Sequence, residues 1–258
     1  MNYFKSKRLK TTLILLFFTA SLVIASEMIG FDWLLMLQNF TKAFQRFIVL
    51  YLPPDFSNFS MQLKELGSTI LLSVSGAVTG MILAFFAALA ISIKTGKIKS
   101  LKIPVRFIAS LSRNIPEGVW AIILLLCFWF GEFLAYLVMC IISFGFLTRV
   151  FADAIDETNA NAIEALEATG ASYWQIVFHA IIPETLPALL SWSLYAIENN
   201  IRSATIVGML AGGGIGFLIG NYKDFRQFPQ LFSAVSLVVV TILFTDQCST
   251  QIRKRILS

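Results

Sequence analysis

Six apolar runs constrain this chain more than anything else in it: residues 13–29, 66–93, 103–130, 133–151, 186–210 and 231–247. About 20 apolar residues, rising about 1.5 Å each, cross the hydrocarbon of a bilayer as a helix. With 57% hydrophobic and 14% charged residues and a mean hydropathy of +0.77, a soluble globular domain is excluded. The runs are continuous rather than alternating, which argues against a closed β-barrel. The expectation is an all-α polytopic membrane protein of about six transmembrane helices, with no large soluble domain in 258 residues. The first run follows "KSKRLK" and could be read as a signal peptide cleaved at "VIAS"; an uncleaved anchor fits the other spans better. Cys127, Cys140 and Cys248 lie in or near apolar runs, at spacings that suit neither a disulfide framework nor a metal site. They read as packing residues.

Loop charge sets the orientation. Lys5, Lys7, Arg8, Lys10, Lys94, Lys97, Lys99, Lys102, Arg106, Arg149, Arg253, Lys254 and Arg255 fall on one side, 13 of the 20 basic residues. Lys42, Arg46, Lys64, Lys223 and Arg226, 5 residues, fall on the other. Positive loops stay in the cytoplasm, so both termini should be cytoplasmic. The segment between the first two spans then lies outside, where its aromatics and scattered charges suit interfacial helices ended by "PPDFS".

Two features stand out from this apolar background. The stretch 164–187, "EALEATGASYWQIVFHAIIPETLP", cannot span a membrane and should face the cytoplasm. Glu164, Ala165, Glu167 and Ala168 favour helix, Gly170 can end it in a left-handed turn, and Ser172 can cap a second short helix running towards Pro183. From the chemistry alone this is either a rigid knob or an ordinary connecting loop.

The second feature is charge inside the spans, which is costly and marks a pathway or a pair. Arg113 and Glu117 lie four apart in the third run, and Glu198 and Arg202 four apart in the fifth, so each pair can meet on one helix face. Ser191, Tyr195, Glu198, Asn199, Arg202 and Thr205 form one stripe at helical spacing, and Leu194, Ile197, Ile201 and Ala204 take other faces. This stripe either lines the route of a small anion or simply neutralises itself against neighbouring helices. Gly212, Gly213, Gly214 and Gly216 permit tight turns where the fifth helix ends, as part of an outer gate, a docking surface or a flexible helix exit. "GGGIG" is not a phosphate-cradling loop, because no strand precedes it and no GK[ST] follows. His179 reads as a surface or packing histidine.

Glu164 and Ala165, then Gly170 six residues after the glutamate, then Pro183 thirteen beyond that, resemble the coupling-loop motif of ABC importer permeases. Where that family has a third alanine this chain has Leu166. Ala180 and Ile182 stand where the family has Ile and Leu. "SRNIPEGVW", "SLYAIENNIRSATIVGMLAGGGIG" and "PPDFS" look like the phosphonate importer permeases in particular, over roughly 53–255. "GGGIG" is shared with amino-acid importers of the same fold, so "ENNIRSAT" discriminates better.

The resemblance implies a type I, methionine-permease-like fold forming one permease domain over 1–258. Residues 1–65 would be an anchor helix and outer interfacial segment, and 66–258 the core, with a cytoplasmic coupling loop at 152–185. It implies a homodimer in the bilayer, two copies of an ABC ATPase that bind ATP and Mg, and an extracytoplasmic phosphonate-binding protein. No cofactor, metal or nucleic acid is expected on this chain, which has no Walker A motif and so no ATPase of its own. Glu164, Ala165, Gly170, Ala171 and Pro183 would form the coupling loop. Arg113, Asn114, Glu117, Tyr195, Glu198, Asn199, Arg202, Ser203 and Thr205 would form the translocation pathway. The alternatives are a permease of the same fold for another solute, such as an amino acid, and an intramembrane enzyme acting on lipid-linked substrates. The enzyme would need a nucleophile and base, or metal ligands, facing one another, and the sequence offers no such set.

Overall fold

The computed structural model describes residues 2–96 and 98–257, with the side chains of 2–9, 99 and 257 left out. Lys97 of the charge pattern lies outside the described residues, as do the side chains of Lys5, Lys7, Arg8 and Lys99. Chain contacts divide the protein into a unit ending at Leu52 and a larger one beginning at Pro53. The first unit holds α1 (Asn2–Ile29) and α2 (Trp33–Tyr51). Asp32 caps α2 by accepting a hydrogen bond from the Leu35 amide at 2.9 Å.

The larger unit begins with α3 (Phe59–Ile91), α4 (Lys99–Asn114), α5 (Glu117–Leu125) and α6 (Glu132–Asp156). Two short helices follow, α7 (Ala160–Ala168) and α8 (Tyr173–Ile176). A π-turn (Val177–Ile181) then leads into α9 (Ile182–Ala211), and α10 (Gly214–Asp224) and α11 (Phe228–Leu257) complete the unit. Among the described residues, five helices are long and apolar enough to cross a membrane.

The third of the six expected runs is not one helix. It breaks between α4 and α5 at Ile115 and Pro116, whose ψ angles of 123° and 147° are extended. Proline lacks an N–H and crowds the residue before it out of the helical region, so "RNIPEG" makes a corner. The corner puts Arg113 and Glu117 on different helices and overturns the expectation that they meet on one face.

The core is built on small residues. A Cβ on Gly76 would stand 2.6 Å from the Met139 Cβ, and one on Gly80 would stand 2.7 Å from the Ser143 Cβ. Only glycine lets the α3 and α6 backbones run this close, and Ala84 and Ala88 continue the seam fully buried. Helix α9 closes over it through Asn200, whose Nδ2 donates to Ser143 Oγ at 2.8 Å and to the Ser73 carbonyl at 3.3 Å. Ser73 Oγ donates to the Thr69 carbonyl at 2.7 Å and to that of Asn200 at 3.4 Å. One buried amide thereby joins three helices, its Nδ2 donating to Ser73 of α3 and Ser143 of α6.

The "PPDFS" segment is a staple. Asp55 Oδ2 accepts from Gln230 Nε2 at 2.6 Å and its carbonyl accepts from Ser233 Oγ at 2.7 Å, fixing the start of α11. Cys140 is buried, while Cys127 is exposed and all three cysteines are free thiols.

The seam makes a direct prediction. Gly80→Leu must push α3 off α6 and should destabilise the protein by about 1–3 kcal/mol, the usual cost of overpacking. Gly67→Leu, where a Cβ meets nothing within 4 Å, should leave thermal unfolding in detergent unchanged. Equal melting temperatures for the two variants would contradict this packing.

Candidate functional site

The polar insert folds as a knob. Helix α7 starts under an Asn159 cap, which accepts from the Asn161 amide at 3.0 Å, and ends where Gly170 takes φ +80°. The Gly170 amide donates to the Glu167 carbonyl at 2.9 Å and the Ala171 amide to that of Leu166 at 3.1 Å, satisfying the last carbonyls of the helix. A Cβ on Gly170 would touch nothing within 4 Å, so the need for glycine there is torsional alone. Ser172 and Gln175 form a reciprocal capping box at the start of α8. The Asn159 amide donates to Glu184 Oε1 at 2.8 Å, closing the base of the knob against the first turn of α9.

Ile163, Leu166, Ala171 and Tyr173 turn inward onto the core, while Glu164, Ala165 and Pro183 are exposed. Trp174 and Phe178 are also exposed, at 51% and 59%, with ring centroids 6.2 Å apart. Sequence reasoning did not single them out; two aromatics outside any span were the available signal. Among the described residues, His179 hydrogen-bonds through Nδ1 to the Gln175 carbonyl of its own turn, at 2.9 Å.

The in-span charges divide into two groups. Beside the Pro116 corner lies a cavity of about 210 Å³ walled by Arg113, Glu117, Phe146, Tyr195, Asn199 and Asn200. Glu117 accepts a hydrogen bond from Ser203 Oγ at 3.1 Å, tying α5 to α9. Among the described residues no hydrogen bond or ion pair reaches Arg113. Asn114 is turned to Ser110, donating to its Oγ at 3.0 Å.

Glu198 leaves the cavity and faces α11. Its side chain is 7% exposed and accepts from Arg202 at 3.1 Å and from Arg253 at 3.4 Å. Arg253 reads as a loop charge in sequence, and only the packing of α11 on α9 reveals its partner. The expected stripe on α9 is therefore split: Tyr195 and Asn199 line the cavity, Glu198 is sequestered, and Ser191 Oγ and Thr205 Oγ1 are buried without hydrogen-bond partners among the described residues. Asn200 is the residue sequence reasoning missed, because one asparagine of "ENN" looks like the other until the seam is seen.

At the opposite end of α9 the glycines close a packed turn. Gly212 (φ +82°) caps α9 and Gly214 (φ +62°) starts α10. The Ile215 amide donates to Thr69 Oγ1 at 2.8 Å. A Cβ on Gly216 would stand 2.1 Å from the Thr205 carbonyl oxygen. Gly213, Gly214 and Gly216 are buried, so this is a close helix-on-helix contact rather than a flexible exit.

The sequence profile of a family described as "Binding-protein-dependent transport system inner membrane component" matches residues 80–257. The chain belongs to this family. It is a multi-pass inner-membrane protein and a transport component rather than an enzyme; in such systems the ATPase is a separate subunit. It is similar to the phosphite transport system permease protein PtxC of Stutzerimonas stutzeri, 26% identical over 203 residues covering 79% of this chain and 74% of that protein. It is also similar to the phosphate-import permease protein PhnE of Mycolicibacterium smegmatis, 27% identical over 205 residues covering 79% of this chain and 38% of that longer protein. In fold it matches a chain of the inward-facing MetNI methionine ABC transporter, with TM-score 0.67 and 16% identity over 78% of this chain and 99% of that one. The fold is that of a type I ABC importer permease.

The shared carboxylate makes a testable hierarchy. Glu198→Gln removes the anion between two guanidinium groups and should destabilise the protein by about 1–3 kcal/mol. Arg202→Gln leaves Glu198 held by Arg253 and should cost less than half as much in the same thermal-unfolding assay. A larger loss for Arg202→Gln would contradict the three-residue cluster.

Proposed function

We propose that this permease carries a phosphorus oxyanion, a phosphonate or phosphite, inward across the membrane by alternating access. The observation that carries the reading is Arg113, a guanidinium that no hydrogen bond or ion pair reaches among the described residues, at the wall of the cavity beside the Pro116 corner. An unpaired charge within a membrane protein is expensive to keep and marks a ligand route. Its planar donors suit phosphoryl oxygens, and Tyr195 and Asn199 add neutral donors across the same cavity. The relatives named for phosphite and phosphate transport support the same class of cargo.

In this reading the whole chain is one permease domain with both termini in the cytoplasm. Two copies pair in the bilayer, so that their α4 to α5 corners and α9 helices flank a shared axis, and cargo arrives from an extracytoplasmic binding protein. The knob formed by 152–185 seats Glu164, Ala165, Gly170, Ala171 and Pro183 against an ATPase that binds ATP and Mg. Trp174 and Phe178 add apolar area to that contact. Closure of the two ATPases then moves the base of α9 through the Asn159 to Glu184 link. Arg202 and Thr205 lie further along α9 towards the outer side, and the turn at Gly212, Gly213, Gly214 and Gly216 closes that end.

The test uses the complex of permease and ATPase in proteoliposomes with binding protein loaded with phosphite or methylphosphonate. Loaded binding protein should stimulate ATP hydrolysis and drive uptake, and Gly170→Val should abolish both while the complex still assembles. Stimulation by an amino-acid-loaded binding protein instead, with none by phosphorus ligands, would overturn the substrate assignment. Normal coupling in Gly170→Val would overturn the role of the knob.

A further inference from the structure

Arg113 also borders a second, larger cavity between α4 and α6. Residues Arg106, Ala109, Ser110 and Arg113 of α4 face Gly145, Arg149, Ala152, Asp153 and Asp156 of α6 across about 390 Å³. The two helices touch at Gly145, where a Cβ would stand 2.7 Å from the Ser112 Cβ and 2.8 Å from the Arg113 amide nitrogen. The cleft is lined on the α6 side from Gly145 to Asp156. Neither the residues proposed for the coupling knob nor those around α9 account for it.

The chemistry of the cleft is that of an anion site. Three arginines line it beside two aspartates, and both carboxylates are already engaged. Asp153 is spent on Arg149, with Oδ2 at 2.9 Å from Nε. Asp156 Oδ1 accepts from Ser92 Oγ and from the Ile93 amide at 2.8 Å. Arg106 gives one donor to the Ile91 carbonyl at 3.1 Å, which leaves the rest of its fork available. Arg113 has no protein partner among the described residues. The result is a water-reachable pocket with a net positive charge and several unused N–H donors, at the end of the bundle that loop charge assigns to the cytoplasm.

We propose that the cleft between α4 and α6 is a second oxyanion-binding site, sharing Arg113 with the α9 cavity and taking a tetrahedral phosphorus oxyanion between Arg106, Arg113 and Arg149. A single deep positive site holds an anion too tightly to release it, whereas two sites sharing one swinging guanidinium permit transfer and escape. The cargo source rests on the import reading above. The phosphate headgroup of an anionic lipid has the same chemistry and is the other source.

The permease and ATPase complex in phosphatidylcholine nanodiscs is titrated with radiolabelled inorganic phosphate. Saturable binding is expected, weakened about tenfold or more by Arg149→Gln or Arg106→Gln, since each removes a charge-assisted donor. Asp153→Asn frees Arg149 and should tighten binding several-fold; a merely structural ion pair would give no gain. If phosphate binds only weakly, but native mass spectrometry finds phosphatidylglycerol retained by the wild type and lost from Arg149→Gln, the ligand is a lipid headgroup and the site stands. If neither ligand depends on Arg149, or Asp153→Asn weakens binding, the site is overturned. The import reading fails separately: phosphate binding that needs Arg149, without ATPase stimulation by phosphorus-loaded binding protein, leaves the site and removes the cargo.

Discussion

The close approach of α3 and α6 is the constraint on which the rest of the larger unit depends. In a bilayer, apolar helices gain little by leaving lipid for one another, so association rests on dispersion between well-fitted surfaces and on interhelical hydrogen bonds. Gly76 and Gly80 remove the side chains that would hold the backbones apart. Once the seam is closed, Ser73, Met139 and Ser143 present polar atoms at one point, and Asn200 on α9 satisfies them. An amide placed there without those partners would be strongly unfavourable, so the seam and the docking of α9 stand or fall together.

With α9 fixed, its charged residues are sorted by what lies opposite. Glu198 meets Arg253 of α11 and is neutralised. Tyr195 and Asn199 meet the space opened by the Pro116 corner. That corner matters twice: it frees Arg113 from Glu117, and it lets Glu117 bond Ser203 across to α9. A straight helix through 103–130 would pair the two charges and leave the cavity without its cation. One proline thus converts a self-neutralising pair into a tie and a donor without a partner among the described residues.

How much of this was legible in sequence follows from the range of each interaction. The helical class, five of the six spans and the Gly170 and Ser172 turn depend on local pattern, and each could be read from residues a few positions apart. The corner at Pro116 was also local, but the apolar residues on either side disguised it as one long run. Glu198 with Arg253, Glu117 with Ser203 and the identity of Asn200 depend on partners 55 to 127 residues away, which periodicity cannot supply. The glycine turn was legible as glycine-rich and not as packed, because its close partner Thr69 sits on α3.

The central claim is that the cavity at the Pro116 corner is an anion route whose selectivity comes from Arg113. It is tested most directly by introducing Tyr195→Cys into a variant lacking Cys127, Cys140 and Cys248. The rates of thiol modification by anionic and cationic methanethiosulfonate reagents are then compared in the assembled transporter. The account predicts faster reaction with the anionic reagent, a preference abolished by Arg113→Gln, and a change in the side of access when the ATPases are trapped closed. A faster cationic reaction, or a preference that survives Arg113→Gln, would contradict it.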